Sequence, residues 1–119
     1  MSGERPWPVE LRLDREKTTL HVTFESGQSF ALAAEYLRVE SPSAEVQGHL
    51  ASQKQIVGGK RDVKITGIEP VGNYAARLLF DDGHDTGLYS WDVLHELGRD
   101  HNAKWSAYLR ALKAKRLER

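Results

Sequence analysis

The chain has 119 residues, no cysteine and a formal net charge of zero, from 17 basic and 17 acidic side chains. Its length suits one domain, and its 39% hydrophobic and 29% charged residues exclude a disordered chain. The absence of cysteine excludes disulfides, thiolate nucleophiles and thiolate metal sites, and the balanced charge gives no general attraction to nucleic acid.

The N-terminal part of the chain predicts three antiparallel strands after a short lead-in. Residues 1–8 contain two prolines and form the lead-in, so the single domain is expected to span residues 9–119. Apolar residues then alternate with polar ones, which is the period of half-buried strands. The inward-facing set is Val9, Leu11, Leu13, Leu20, Val22, Phe24, Phe30 and Leu32.

The middle of the chain predicts a short helix, an irregular stretch and further strands. Residues 33–38 favour a helix, whereas residues 43–61 show weak periodicity and are expected to be irregular. Gly67 marks a bulge or a close approach of another segment, and Gly72-Asn73 forms a turn between two strands. The strands are predicted at residues 63–71, 74–80 and 87–89, and the inward face of the second is Tyr74, Ala76, Leu78 and Phe80.

Two C-terminal helices complete the predicted fold. Ser90 is a suitable N-cap for the first helix, and Gly98 is expected to end it. The second helix is predicted over residues 102–117, with an apolar stripe of Trp105, Tyr108, Leu109 and Leu112. The fold class is therefore α+β: a small antiparallel β-sheet or partly open barrel with two or three helices, and with the C-terminal amphipathic helix packed on it.

The charges are distributed unevenly toward the C-terminus. Residues 81–100 carry a net charge of −5, and residues 101–119 carry a net charge of +5. We expect these two segments to neutralise each other in the fold. If they do not, each is a charged patch open to a partner.

The sequence contains no recognisable catalytic motif. No serine lies in a glycine-flanked nucleophile elbow, and residues 58–61 (GGKR) lack the spacing of a phosphate-binding P-loop. We therefore predict no catalytic residue, no enzyme activity and no cofactor. The chain also lacks an apolar run of the roughly 20 residues that cross a bilayer, and lacks a signal peptide, which predicts a cytoplasmic protein with no membrane role.

The densest polar cluster is the turn at residues 81–86. It holds one histidine and three aspartates: His84, Asp81, Asp82 and Asp85. Because carboxylates and imidazole suit divalent cations, one alternative function is metal binding through His84 and the nearby aspartates. The other interpretation is a charged surface turn in which Gly83 supplies a positive φ.

Aromatic residues beside basic ones on the last helix suggest another alternative, weak binding of single-stranded nucleic acid. Trp105 and Tyr108 lie beside Lys104 and Arg110. Their helical spacing favours burial of the rings in the core, so a nucleic-acid partner is not expected. His95 lies beside the apolar face of the preceding helix and is expected to pack there rather than to bind a metal.

Two segments of the chain resemble a known family. Residues 37–46 (LRVESPSAEV) are followed by residues 82–91 (DGHDTGLYSW), and with the opening strands they resemble the gamma-butyrobetaine hydroxylase-like N-terminal domain over residues 9–98. In that family the domain occurs alone in bacteria, in front of the oxygenase domain of carnitine-pathway hydroxylases, and attached to iron–sulfur carrier ATPases. The resemblance implies a stand-alone bacterial member without the oxygenase half.

The resemblance also implies a dismantled metal site. In the hydroxylases a Cys-x-Cys-x-x-Cys motif and a later histidine bind zinc. The cysteine positions fall here on Ser41, Ser43 and Val46, and the histidine position falls on His84. A lone imidazole cannot hold a structural zinc, which takes four ligands. We therefore expect hydrogen bonds of Ser41 and Ser43 and packing of Val46 to replace the metal. Convergence of these side chains with His84 would support the relationship.

The expected function is that of a non-enzymatic accessory or binding domain. The family's occurrence beside larger catalytic units predicts a protein partner, in cofactor or iron–sulfur-related metabolism. The candidate contact residues belong to the acidic turn and the strand after it: Asp82, His84, Asp85 and Tyr89.

Overall fold

A computed structural model describes residues 6–48 and 54–119 of the chain. Its strands are β1 (Pro8–Leu13), β2 (Thr19–Phe24), β3 (Ser29–Ala33), β4 (Ile65–Val71), β5 (Ala75–Phe80) and β6 (Leu88–Ser90). Its helices are α1 (Ala34–Val39), α2 (Ala44–Gln47), α3 (Trp91–Arg99) and α4 (His101–Ala114). The short helix α2 lies in the stretch predicted to be irregular, of which residues 49–53 are outside the described residues.

The first sheet is antiparallel and has β2 between β1 and β3. Leu20, Val22 and Phe24 point from β2 into the core, as their alternation with polar residues predicts. The β1–β2 turn is held by the Asp14 carboxylate, which accepts a hydrogen bond from the Thr18 N–H at 2.8 Å. The three opening strands are confirmed, but the prediction that Val9 faces inward is wrong: Val9 is 62% exposed, at the point where the register of β1 against β2 shifts between Pro8 and Glu10.

The second sheet is also antiparallel and has β5 between β4 and β6. The register of β4 against β5 shifts between Ile65 and Gly67, which confirms the predicted bulge. The prediction that Tyr74 faces inward is wrong, because β5 begins one residue later and the Tyr74 side chain is 56% exposed. The sequence alternation continues into the turn, whereas the strand pairing ends where Val71 meets Ala75.

Both sheets, together with α1 and α3, contribute to one hydrophobic core. Tyr36 of α1 reaches across this core, and its hydroxyl donates a hydrogen bond to the Leu97 carbonyl at 2.7 Å. Helix α3 begins at the predicted N-cap, where the Ser90 hydroxyl accepts from the Val93 N–H at 3.2 Å. The first contact joins α1 to the C-terminal part of α3, and the second fixes the residue at which α3 begins.

Gly98 has a different role from the one predicted. It lies inside α3, which continues to Arg99, so it does not end the helix. A Cβ at this position would lie 2.4 Å from the Phe30 ring. Gly98 is required because β3 and α3 approach each other too closely for any side chain.

Helix α4 packs against the core through Trp105, whose ring meets Tyr36 edge-on with centroids 6.1 Å apart. Tyr108 and Leu112 bury against Val39. The prediction that Leu109 shares this face is wrong, because its side chain is exposed. At 100° per residue it lies at the edge of the apolar stripe away from Tyr108, where no neighbouring element covers it.

The α+β class, the antiparallel pairing and the packed C-terminal helix are thus confirmed, with the strands divided between two small sheets. Within residues 6–48 and 54–119, no helix combines the length and the apolar character needed to cross a membrane.

The acidic and basic C-terminal segments neutralise each other only in part. Lys104 Nζ lies 3.2 Å from a carboxylate oxygen of Glu96 and so joins the two segments. Other charges of the two segments pair with residues elsewhere in the chain: Asp82 with Arg38 and Lys60, and Arg119 with Glu35.

Candidate functional site

The loop after α1 meets the turn after β5 at a buried serine–histidine pair. Ser41 is 0% exposed and His84 is 5% exposed, and Ser41 Oγ lies 2.9 Å from His84 Nε2. The Ser43 N–H donates a second hydrogen bond to Ser41 Oγ at 3.2 Å. Two segments that are 43 residues apart in sequence are therefore joined by a buried polar contact.

Ser43 and Val46 complete the set of positions that the family resemblance singled out. Ser43 Oγ lies 2.7 Å from Thr86 Oγ1 and accepts from the Glu45 N–H at 3.1 Å, so it also caps α2. Val46 is buried on the same short helix. Ser41 and His84 thus touch directly, Ser43 adjoins Ser41, and Val46 supplies packing.

Glu45 extends the pair into a chain of three polar side chains, which sequence reasoning missed. Its Oε1 lies 3.2 Å from His84 Nδ1, while its side chain stays largely exposed. Burial, and then the nearby Arg38 charge, lower the pKa of His84 below its ordinary value, although Glu45 and Asp82 oppose the shift. A neutral imidazole satisfies both contacts when Nδ1–H donates to Glu45 and Nε2 accepts from the Ser41 hydroxyl.

The contacts Ser41–His84–Glu45 follow the nucleophile, base and acid order of a serine hydrolase triad. The hydroxyl oxygen of Ser41, in the nucleophile position, is not accessible to a substrate. Ser41 Oγ is packed against Gly87 so tightly that a Cβ on this glycine would lie 2.6 Å from it. A substrate carbonyl must come within van der Waals distance of a nucleophile, and a fully buried oxygen offers no such approach. The geometry therefore suits a structural hydrogen-bond chain.

Asp82 is held by two basic side chains beside this chain. Its Oδ2 lies 2.8 Å from Arg38 Nε and 2.6 Å from Lys60 Nζ, and its Oδ1 accepts from the His84 N–H at 3.1 Å. Burial disfavours its ionised form, but the bonds from Lys60, the His84 backbone and Arg38 outweigh burial and lower its pKa to about 2. The carboxylate is thereby committed to internal contacts.

The alternative metal site at His84 and its neighbouring aspartates is not assembled among the described residues. Asp81 accepts from the Lys64 N–H at 3.0 Å, and Asp85 lies 3.7 Å from Arg77, so the carboxylates diverge from His84. Across the described ranges, no group of three or more histidine, aspartate or glutamate side chains is placed to hold a metal ion. The family's zinc does not fit either, because Ser41 and Ser43 offer neutral oxygens and Val46 offers none.

The predicted partner-contact residues separate into buried and exposed ones. Tyr89 is fully buried, and its hydroxyl donates to the Leu37 carbonyl at 2.5 Å. His84 is also inside, Asp82 is mostly covered, and the Asp85 side chain is 53% exposed. Tyr89 and His84 therefore cannot contact a partner directly: along β6 the side chains alternate, and Leu88 rather than Tyr89 points outward.

The rings that suggested nucleic-acid binding pack against neighbouring side chains: Tyr108 is buried and Trp105 is partly buried. Tyr108 is buried, and its hydroxyl donates to the Val57 carbonyl at 2.6 Å. Trp105 is enclosed between Tyr36, His101 and the Arg119 guanidinium, which lies 5.4 Å from the ring centroid. Both rings thus have contacts within the chain, whereas base stacking needs an exposed ring face. His95 packs edge-on to Phe24, as predicted.

A surface cavity of about 210 Å³ lies between the N-terminal segment, the β4–β5 turn and the start of α3. Its lining is rich in aromatic side chains and consists of Pro6, Trp7, Asn73, Tyr74, Ser90, Trp91 and Asp92. Trp7 is 46% exposed, and Trp91 is oriented by a 2.9 Å hydrogen bond from its Nε1 to the Asn73 carbonyl. Sequence reasoning missed this site because it assigned Trp7 to the lead-in and Tyr74 to the core.

The comparisons with known proteins agree with this fold. The family model described as gamma-butyrobetaine hydroxylase-like, N-terminal, matches residues 11–95. One NMR solution structure is 46% identical with a TM-score of 0.84 and covers 100% of this chain and 89% of its own. A second is 41% identical with a TM-score of 0.83 and covers 98% of this chain and 91% of its own.

A crystal structure of a protein of unknown function, from the DUF971 family of Acidithiobacillus ferrooxidans, is 37% identical with a TM-score of 0.64. It covers 76% of this chain and 91% of its own. No curated protein matches the chain. The matched span, the shared fold and these identities establish that the chain belongs to the family of gamma-butyrobetaine hydroxylase-like N-terminal domains.

Proposed function

We propose that this protein is a non-enzymatic accessory domain that binds a protein partner. Its one triad-like arrangement among the described residues encloses Ser41 completely, so no activated hydroxyl reaches the solvent there. The Asp82 carboxylate, which pairs with Arg38 and Lys60, is likewise unavailable for chemistry. These contacts support a stabilising role for the polar residues and leave recognition as the function of the surface.

The observation that carries the proposal is the aromatic cavity formed by Trp7, Tyr74 and Trp91. Tyr74 and Trp7 are about half exposed, and both line the same depression. Exposed clusters of large apolar side chains are unusual on a monomer's surface. Tryptophan and tyrosine are also enriched at the energetic centres of protein interfaces. These properties support the cavity as the contact surface, in place of the predicted acidic turn.

The resemblance to domains that sit beside larger catalytic units supports a partner in cofactor or iron–sulfur-related metabolism. Asp85 remains a candidate for the rim of the contact, since its side chain is exposed. Rim charges act mainly on orientation and association rate.

Site-specific photo-crosslinking tests the proposal. A benzophenone amino acid is placed at Tyr74 in one variant and at Arg110, which is exposed on α4 and outside the cavity lining, in a matched control. We expect one protein to crosslink at Tyr74 and not at Arg110, and the crosslink to weaken in a Trp7→Ala background. Equal crosslinking at both positions, or none at Tyr74, contradicts the proposal.

A further inference from the structure

We infer that the aromatic cavity binds a proline-rich segment of the partner in the extended polyproline II conformation. This inference rests on the proposed function and specifies the chemistry of its contact surface. At about 210 Å³ the cavity is smaller than the roughly 300–1,000 Å³ of a drug-sized pocket, so it suits side chains of a peptide rather than a whole small molecule.

The cavity offers aromatic surfaces on which proline rings can pack. Trp7, Tyr74 and Trp91 line the same space, and none of them takes part in the ring–ring contacts among the described residues. The Trp91 ring is held by its hydrogen bond to the Asn73 carbonyl, so little of its side-chain entropy is lost when a ligand binds. Grooves lined by aromatic side chains are a recurring docking surface for proline-rich segments.

Two hydrogen-bond donors of the lining favour an extended segment over a helix. In the described part of the chain, Trp7 and Tyr74 make hydrogen bonds through their backbones, and no acceptor contacts the Trp7 indole N–H or the Tyr74 hydroxyl. A polyproline II segment has no internal hydrogen bonds, so its carbonyl groups are available to these donors. The carbonyl groups inside a helix are already bonded to the helix's own N–H groups.

The backbone contacts of the lining disfavour a ligand that adds as a β-strand. The Trp7 carbonyl accepts from the Glu25 N–H at 2.8 Å, and the Tyr74 carbonyl accepts from the Trp91 N–H at 3.2 Å. The Asn73 carbonyl accepts from the Trp91 side chain. Strand addition uses a row of unpaired backbone groups, whereas these groups are already paired. Recognition through side chains is the remaining mode.

The charge of the lining is matched within the chain, which suits an uncharged ligand. Asp92 lines the cavity and already takes part in an interaction within the chain. The other lining residues are aromatic, proline or neutral polar residues. A proline-rich segment uses the rings and the two donors and needs no countercharge. It is also pre-organised, so it loses little conformational entropy on binding.

The test uses the full chain and three blocked hexamer peptides: hexaproline, a hexamer in which leucine replaces alternate prolines, and one in which arginine replaces them. The three tryptophan indole N–H signals are followed by NMR. We expect hexaproline to shift the Trp7 signal most, because this N–H gains an acceptor. The signal of Trp105, which packs against Tyr36, should not move. The leucine hexamer should bind about tenfold more weakly, because it is less pre-organised.

Conservative variants separate the two donors from the rings. Trp7→Phe and Tyr74→Phe each keep an aromatic ring and remove one donor. Loss of one neutral hydrogen bond should weaken hexaproline binding, followed on the Trp91 signal, by roughly two- to tenfold in each variant. Leu109→Ala, at an exposed apolar position of α4 outside the cavity lining, is the matched control and should leave binding unchanged. Retained folding of each variant is checked from the dispersion of its spectrum.

Three results would overturn the inference: equal affinity for the leucine hexamer, tighter binding of the arginine hexamer, or unchanged affinity in both Trp7→Phe and Tyr74→Phe. If photo-crosslinking at Tyr74 succeeds while hexaproline does not bind, the proposed function stands and this inference fails. If hexaproline binds and no partner crosslinks, the chemistry of the cavity stands and the proposed function fails.

Discussion

The buried Ser41–His84 pair provides the sharpest test of how this domain is stabilised. A Ser41→Ala substitution removes the oxygen that lies 2.9 Å from His84 Nε2 and 3.2 Å from the Ser43 N. Both groups are buried and would lose a partner. Leaving buried polar groups unsatisfied costs about 1–3 kcal/mol, so we expect a loss of about 2 kcal/mol in the free energy of unfolding.

Urea denaturation at pH 7 measures this loss. With a slope of about 2 kcal/mol per molar, which is usual for a domain of this size, the midpoint should fall by about 1 M. Ser26→Ala is the matched control, because Ser26 is exposed in a turn and makes only 3.4 Å contacts with Gln28. Its effect should stay within about 0.5 kcal/mol.

A double-mutant cycle separates the hydrogen bond from general packing. When His84→Phe is combined with Ser41→Ala, the two losses should fall short of additivity by roughly 1 kcal/mol, because either change alone breaks the same contact. A Ser41→Ala midpoint no lower than that of Ser26→Ala, or strictly additive losses, would refute the role of this pair.

Three further predictions concern pH, packing and an ion pair. Burial and Arg38 lower the pKa of His84 in the folded protein, so the unfolded chain takes up the His84 proton first as pH falls below about 6.5. The free energy of unfolding should therefore drop below that pH. His84→Phe should flatten the dependence of melting temperature on pH. Gly98→Ala should lower the free energy of unfolding, measured by urea denaturation, by about 1–3 kcal/mol, because its Cβ would meet the Phe30 ring at 2.4 Å. Adding Phe30→Leu should recover part of that loss. Full stability of Gly98→Ala alone would contradict this packing. Arg119→Ala should lower the melting temperature, because it leaves the buried Glu35 carboxylate without the partner at 2.8 Å. Adding Glu35→Gln should restore part of the lost melting temperature. No change in either variant would show that the ion pair is not stabilising.

Local patterns were sufficient for the elements themselves. The alternation of Leu20, Val22 and Phe24 predicts β2 and its buried face, because side chains of a strand alternate between two sides whatever they pack against. Ser90 predicts the start of α3, because the cap is a contact between residues three apart in the chain. The family followed from two local segments in order.

The errors arose where burial depends on a distant element. Tyr74 continues an apolar alternation, yet the turn before Ala75 carries it to the surface. Gly98 looks like a helix terminator, yet α3 continues through it to Arg99, and its missing side chain leaves room for the Phe30 ring of β3. Neither outcome can be read from neighbours in sequence, since the deciding atoms belong to other elements.

By itself, then, the sequence determined the class of the fold, most of its elements, the family and the loss of the cysteine ligands. The tertiary structure decided which polar groups meet: Ser41 with His84 across 43 residues, and Glu45 on the other ring nitrogen. It also brought Trp7, Tyr74 and Trp91 around one cavity. Periodicity reports the side of an element on which a residue lies, whereas contact between elements depends on how the whole chain packs.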